Sequence, residues 1–271
     1  MDRKELADLI LAKLEKNKET LKKEFSISGR VNSCYIDDLL PDDICRKINS
    51  CFPDPNTMSE HRSLRENKKI AAQLNKYHPL LEEITYAFQD PRILKLTEEF
   101  TGLKKLEPDE FLYAGGISLM SKGNFLNPHL DNSHDKDRKR YRVINLLYYV
   151  TPDWLIEYGG NLELWDAGMG PDKKPRTIQA KFNRLVFMIT NTTSYHSVSK
   201  VIHDGNRCCI SNYYFSEIPA ESSNYFHVTS FYGRPEELLK RIMLPVDNFI
   251  RNSIRTIFPK GIRKTKHIYK K

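Results

Sequence analysis

What most limits the fold of this chain is a run of five short segments between residues 111 and 216: FLYAGGISLM, YRVINLLYYV, GGNLELWD, RLVFMIT and CCISNYYFS. Each is rich in β-branched and aromatic residues, and Gly, Pro, Asn or Asp punctuates the intervals between them. With no long helix in those intervals, the segments predict an antiparallel sandwich or jelly roll.

The flanks read differently. Residues 4–25 carry Leu6, Ile10, Leu14 and Leu21 among many Lys and Glu, the spacing of an amphipathic helix that docks on the domain or on a partner. Ser33 to Leu39 reads as a short strand entering a helix at Pro41, where proline suits the first turn and Asp42 and Asp43 complement the helix dipole. Two more helices are predicted near 78–89 and 91–101, the second opened by Asp90-Pro91 and ended near Gly102. Helices return at 235–257, interrupted by Pro245. The expected organisation is a helical region over 1–110 packing on a β core over 111–220, then a helical extension over 221–271 with a basic tail.

Composition narrows the class. The 271 residues, 39% hydrophobic and 11% aromatic, suffice for one large globular domain. Met1 to Lys4 is charged and no apolar h-region follows, while apolar runs such as Leu185 to Ile189 are far too short to span a bilayer, so a cytoplasmic protein with no transmembrane segment is expected. Cys34, Cys45, Cys51, Cys208 and Cys209 are odd in number and lack Cys-X-X-Cys spacing, which predicts reduced, mostly buried thiols. Arg251 to Lys271 holds eight Lys/Arg and no Asp/Glu; taking those eight from the 43 basic residues leaves 35, equal to the 35 acidic ones. The +8 formal charge is therefore a property of the tail, which is either a solvated terminus or a contact for phosphate, nucleic acid or another anionic partner.

Chemistry is concentrated in NPHLDNSHD, residues 127–135. On or just after a strand, alternation sends His129 and Asp131 to one side and Leu130 to the other. His196, which follows RLVFMIT, offers a third ligand; His134 and His203 have no better claim from spacing. Two imidazoles and a carboxylate can occupy one face of an octahedral Fe(II) and leave three positions open. Arg207 opens the strand RCCISNYYF, and a guanidinium carried into a pocket there needs an anion; its planar fork matches a carboxylate. The same residues would also serve a zinc hydrolase or a non-catalytic β-helix module that binds an anion. No nucleic-acid motif accompanies the basic tail.

An ordered set of blocks carries a resemblance: HLDN at 129–132, RVINLLYYVTPDW at 142–154, GGNLELW at 159–165, NRLVFMITNTTSYHSV at 183–198 and RCCISNYYF at 207–215. In this order they resemble the Fe(II)/2-oxoglutarate-dependent dioxygenases of the prolyl hydroxylase type, over about Gly116 to Phe215. The resemblance implies a mainly β fold with flanking helices, built on a double-stranded β-helix (jelly roll) core. It implies a metal triad of His129, Asp131 and His196, and a 2-oxoglutarate C5 carboxylate held by Arg207 and Tyr149. Strand alternation agrees, since Val143, Asn145, Leu147 and Tyr149 would share a face. Gly159-Gly160 would permit close backbone approach, and Leu162 and Leu164 would wall the pocket.

The implied cofactors are Fe(II), 2-oxoglutarate as cosubstrate and O₂, with ascorbate allowed. The implied reaction is hydroxylation of an aliphatic C–H coupled to release of succinate and CO₂, and the carboxylate at 131 favours hydroxylation over halogenation. The substrate is a prolyl or other amino-acid-type group, or a small molecule. Two departures bear on the pocket: ISLMSKG lacks the tyrosine that hypoxia-type enzymes place there, and the His196–Arg207 interval is slightly longer, with Asp204-Gly205 making a turn.

Overall fold

Asp2 and Glu5 form a capping box that opens the first helix, α1 (Arg3–Lys16), and a second, α2 (Lys18–Phe25), follows at once. The single helix predicted over 4–25 is thus two. Asn17 leaves helical geometry at φ −110°, ψ 7°, and its side-chain amide donates to the Lys13 carbonyl at 2.8 Å, tying off the first helix. Leu6, Ile10, Leu14 and Leu21 are all buried, so the apolar stripe docks on its own domain. The structure is a computed structural model and describes residues 1–113, 115–258 and 269–270. Most of the predicted basic tail, residues 259–268 and 271, lies outside the described residues.

Strand β1 (Ser33–Ile36) stops short of Leu39, because Asp38 turns to φ 54° and the Leu39 amide donates to the Asn183 carbonyl. Helix α3 (Asp42–Ser50) starts one residue later than expected, with Pro41 at the N-cap in extended geometry (φ −52°, ψ 139°) rather than in the first turn. A hairpin of β2 (Ser59–Arg62) and β3 (Glu66–Ala71) comes next and had no sequence expectation. Helices α4 (Pro79–Ala87) and α5 (Pro91–Thr101) follow; Asp90 caps the Arg92 amide and Gly102 closes α5 in the left-handed region at φ 77°.

After β4 (Glu107–Pro108), the stretch FLYAGGISLM becomes strand only at β5 (Gly116–Met120). The Asp109 carboxylate holds the amides of Tyr113 and Gly115 in a turn just before it. The remaining strands are β6 (Phe125–Leu130), β7 (Tyr141–Tyr149), β8 (Leu162–Leu164), β9 (Arg176–Ile178), β10 (Arg184–Ile189), β11 (His196–Val198), β12 (Arg207–Ser216) and β13 (Ser230–Phe231).

Among the described residues these form one antiparallel sheet in the order β1-β10-β7-β12-β5-β3-β6-β11-β8-β9, with β13 on β6, β2 on β3 and β4 on β12. The sheet curls into a double-stranded β-helix around one cavity of about 780 Å³, to which β5, β6, β7, β8, β11 and β12 all contribute side chains. Its outer face is closed by helices: the Tyr148 ring meets Phe88 at 5.7 Å between centroids, and Phe187 meets Phe100 at 5.1 Å. Burying such a side chain stabilises the fold by roughly 1.5–3 kcal/mol, which makes this the rigid wall behind the site.

The last helix, α6 (Leu238–Ile257), runs through Pro245 without interruption, contrary to expectation. Proline there removes one backbone bond and costs about 3 kcal/mol, and packing on either side offsets it. Leu244 is buried, and the Asn248 amide bridges the backbone of β13, accepting from the Phe231 N–H at 2.9 Å and donating to the Phe231 carbonyl at 2.7 Å. An ion pair between Asp247 and Arg65 ties the same helix to the β2–β3 turn. All five cysteines are free and four are buried, as expected.

Candidate active site

Antiparallel pairing sets His129, in β6, directly opposite His196, which opens β11. Their rings lie 4.1 Å apart between centroids, and Asp131 reaches between them, with Oδ1 3.6 Å from His129 Nε2 and Oδ2 3.5 Å from His196 Nε2. One ligand atom from each of the three lies within 4.8 Å of the others, and all three residues are buried.

The orientation of each imidazole is fixed from behind. His129 Nδ1 lies 2.9 Å from the Asn127 carbonyl and His196 Nδ1 lies 2.9 Å from the Ser194 carbonyl. A carbonyl only accepts, so each Nδ1 carries the proton and each Nε2 presents its lone pair to the shared centre. Burial, then the neighbouring His129, pushes His196 down to about 3, which keeps its imidazole neutral. For Asp131, burial acts to raise the pKa, but Arg142 and the two imidazoles outweigh it and hold the carboxyl well below the usual range. Asp131 Oδ2 accepts from the Asn145 amide at 2.6 Å, with the Arg142 guanidinium 3.3 Å away. Arg142 is in turn stacked over the Tyr213 ring at 3.5 Å and bonded to Asn132 and Asn145.

Arg207 and Tyr149 sit on the adjoining strands β12 and β7, where Cys209 is the register partner of Tyr149. The Arg207 guanidinium lies 5.3 Å from the Tyr149 ring centroid. They are only 4% and 1% exposed, yet Arg207 Nε and the Tyr149 hydroxyl have no hydrogen-bond partner. Buried donors without partners are rare, because each costs about 1–3 kcal/mol. Burial pushes the Tyr149 phenol up, so it remains a donor. The Gly160 backbone makes room: a Cβ there would stand 3.0 Å from Arg207 Cδ, and the φ of +69° suits glycine.

The five residues singled out in the sequence therefore line one cavity. Asn145 and Leu147 share the Tyr149 face as expected, while Leu164 is core and only Leu162 reaches the cavity wall. His203 stacks on Tyr158 at 3.7 Å, away from the cavity; His134 lines it but bonds Ser133. Sequence reasoning missed Arg142 and Asn145 as partners of Asp131, and gave no part in the site to residues 226–231, which precede the expected C-terminal helix. There Phe231 stacks on the His129 ring at 5.1 Å and 21°, while the His227 carbonyl accepts from the Ser133 amide at 3.0 Å.

The fit to Fe(II) and 2-oxoglutarate follows from this geometry. Two neutral nitrogens and a carboxylate from one side suit an Fe(II) with open positions, and two orphaned buried donors suit a carboxylate. Comparison with known proteins agrees. Residues 115–215 match the model of the 2OG-Fe(II) oxygenase superfamily. Prolyl 3-hydroxylase OGFOD1 of Mus musculus is 28% identical over 52% of this chain and 28% of its own length, and that of Xenopus laevis is 34% identical over 29% and 15%. The chain thus matches less than a third of the length of either relative.

Among solved structures, a prolyl-4-hydroxylase of Pseudomonas putida superposes with a TM-score of 0.52 at 18% identity, over 73% of this chain and 98% of that one. The epimerase SnoN from nogalamycin biosynthesis superposes with 0.53 at 12% identity, over 74% and 84%. Residues 115–215 are thus similar in sequence to the 2OG-Fe(II) oxygenase superfamily, and the chain shares the fold of these solved structures.

Proposed function

We propose that this chain is an Fe(II)/2-oxoglutarate-dependent dioxygenase that hydroxylates an aliphatic C–H of a prolyl-type residue and releases succinate and CO₂. The observation that carries the reading is the pairing, in one cavity, of three converging ligand atoms with two buried donors that lack partners. His129, Asp131 and His196 would hold the metal by Nε2, a carboxylate oxygen and Nε2. Arg207 would bind the distal carboxylate of 2-oxoglutarate by charge-assisted hydrogen bonds, and Tyr149 would add a neutral one. Fe(II) bound there would supply oxidative decarboxylation of 2-oxoglutarate coupled to C–H hydroxylation.

In this reading residues 111–220 form the catalytic core, 1–110 support it and 221–271 extend it. The similarity to prolyl 3-hydroxylases supports a prolyl substrate. Five free thiols suit a reducing, cytoplasmic setting, and no helix among the described residues is long and apolar enough to cross a membrane. Anaerobic titration with Fe(II) and then 2-oxoglutarate should develop the weak visible charge-transfer band of the chelate. A zinc hydrolase or a binding module gives no such band, and its absence would overturn the proposal. Succinate release screened over prolyl peptides, free amino acids and sugar-linked compounds then identifies the substrate class.

A further inference from the structure

The triad and Arg207 are buried, but the cavity they share continues to an open side. That side is lined by half-exposed or exposed residues from three stretches: His134 and Lys136 after β6, Phe226 and His227 before β13, and Arg251 and Arg255 in the last turns of α6. Most cations on the wall already have a counter-charge. Arg142 is engaged by Asp131, Lys68 pairs with Glu66 at 2.9 Å, and Arg65 and Arg251 share the single carboxylate of Asp247. Lys136 and Arg255 line the same cavity with no ion-pair partner among the described residues.

Arg255 is held in place from outside. The Arg138 guanidinium lies 3.8 Å from the Phe226 ring centroid and donates to the Arg255 carbonyl, which clamps the last turn of α6 where Arg255 faces the cavity. A helix C-terminus favours one such cation. It does not account for a second guanidinium beside the first. Burial, and then the like charge of Arg255, hold the Arg138 pKa below its usual value, and neither arginine has a carboxylate partner among the described residues.

A different kind of group is left open in the same space. His227 lines the cavity, and its Nε2 is buried without a hydrogen-bond partner. The ring is fixed: it stacks on Tyr225 at 5.8 Å and 16°, while the His227 N–H donates to the Ser133 hydroxyl at 2.9 Å. Nδ1 lies 3.4 Å from the Val228 carbonyl, which only accepts, so Nδ1 carries the proton and Nε2 offers a lone pair. A buried acceptor with nothing to accept from is costly, and a backbone N–H is its natural complement.

We propose that the open side of the cavity holds an acidic segment of a polypeptide, with Arg255 pairing with a carboxylate that flanks the target residue and His227 Nε2 accepting from a backbone N–H. Resting on the dioxygenase reading above, this assignment supplies the charge of the substrate. A polypeptide carries both groups on one stretch of chain, a side-chain carboxylate and a main-chain donor. Nucleic acid fits less well: it needs a track of free cations along its backbone, whereas Arg65, Arg251 and Lys68 are already engaged by Asp247 and Glu66.

The test measures, by fluorescence anisotropy, the binding of labelled prolyl peptides to the full chain under anaerobic conditions with Fe(II) and 2-oxoglutarate present. The peptides differ only in whether Glu, Gln or Lys stands at each position flanking a central proline. At the best position Glu should bind roughly tenfold tighter than Lys, with Gln between them, and the preference should shrink as salt rises. Arg255→Glu should invert the order while the chelate band and the circular dichroism spectrum stay unchanged. His227→Ala should weaken all the peptides by a similar factor and keep the order, which separates the N–H contact from the charge contact. Equal binding of the Glu and Lys peptides, an order that Arg255→Glu leaves as it was, or full affinity in His227→Ala would overturn the proposal. So would binding of a single-stranded oligonucleotide, or of nothing at all, with none of the peptides bound. Because binding needs no turnover, a protein that forms the band and ignores peptide charge sinks this assignment alone, whereas one that sorts the peptides by charge and forms no band sinks the dioxygenase reading alone.

Discussion

At one end of the cavity, the atoms of His129, Asp131 and His196 that face away from their common centre are engaged, by the Asn127 and Ser194 carbonyls and by Asn145 and Arg142. At the other end, Arg207 Nε and the Tyr149 hydroxyl are as deeply buried and have nothing. The first arrangement is finished before any ligand arrives, and its backing partners serve to aim lone pairs. The second is left incomplete at a cost in stability, which only an incoming anion recovers. Metal binding should therefore depend on geometry set by neighbours, and cosubstrate binding mainly on the Arg207 charge with a smaller share from the Tyr149 hydroxyl.

The most damaging way to break this contrast is Asp131→Ala. It removes a proposed ligand and leaves Arg142 buried without its counter-charge, so Fe(II) affinity should fall by more than about a hundredfold and succinate formation should vanish. Unchanged turnover would remove Asp131 from the metal shell. Next is Arg207→Ala, for which calorimetry should show about 2–5 kcal/mol less 2-oxoglutarate binding, roughly 30-fold or more. Fe(II) affinity without 2-oxoglutarate should hold, and loss of both would mean that the two ends are one unit.

Asn145→Ala leaves the triad in place but withdraws the amide that steadies Asp131. It should lower Fe(II) affinity about tenfold while 2-oxoglutarate affinity in the loaded protein changes little; the reverse pattern would assign Asn145 to the cosubstrate. Smallest and most telling is Tyr149→Phe. Removing one neutral donor should cost about 0.5–1.5 kcal/mol of 2-oxoglutarate binding, yet the ligand-free protein should melt slightly higher, since an orphaned hydroxyl has gone. A lower melting temperature would mean that the hydroxyl has a structural partner. Combined with Arg207→Ala, the loss should be less than additive, because the tyrosine cannot hold an anion that the arginine no longer positions.

Much of this molecule can be read from its residues because the signals are local. Asp90-Pro91 and Gly102 delimit α5, and His129-Leu130-Asp131 places two side chains on one face whatever the strand pairs with. Other features depend on partners distant in sequence. The β2–β3 hairpin is mostly charged and half-exposed, with little apolar alternation to betray it, and it becomes strand through pairing with β5 and β6. Arg142 and Asn145 acquire their roles only when β7 is brought beside the turn that holds Asp131. The helix break expected at Pro245 was overridden by Asn248, whose bonds to β13 no propensity encodes. The basic tail falls largely outside the described residues.

The stacking of Phe231 on His129 has a consequence for how the protein is made. His129 leaves the ribosome long before Phe231, and β13 is held in turn by Asn248 of α6. Until that later stretch has been synthesised, β6 lacks β13 as a neighbour and the His129 ring has no platform. A nascent chain halted after residue 215 would contain all five proposed ligands to metal and cosubstrate, and still present them on an unsupported strand. Capture of iron should therefore be a post-synthetic event, timed by the arrival of α6 rather than by the appearance of the ligands themselves.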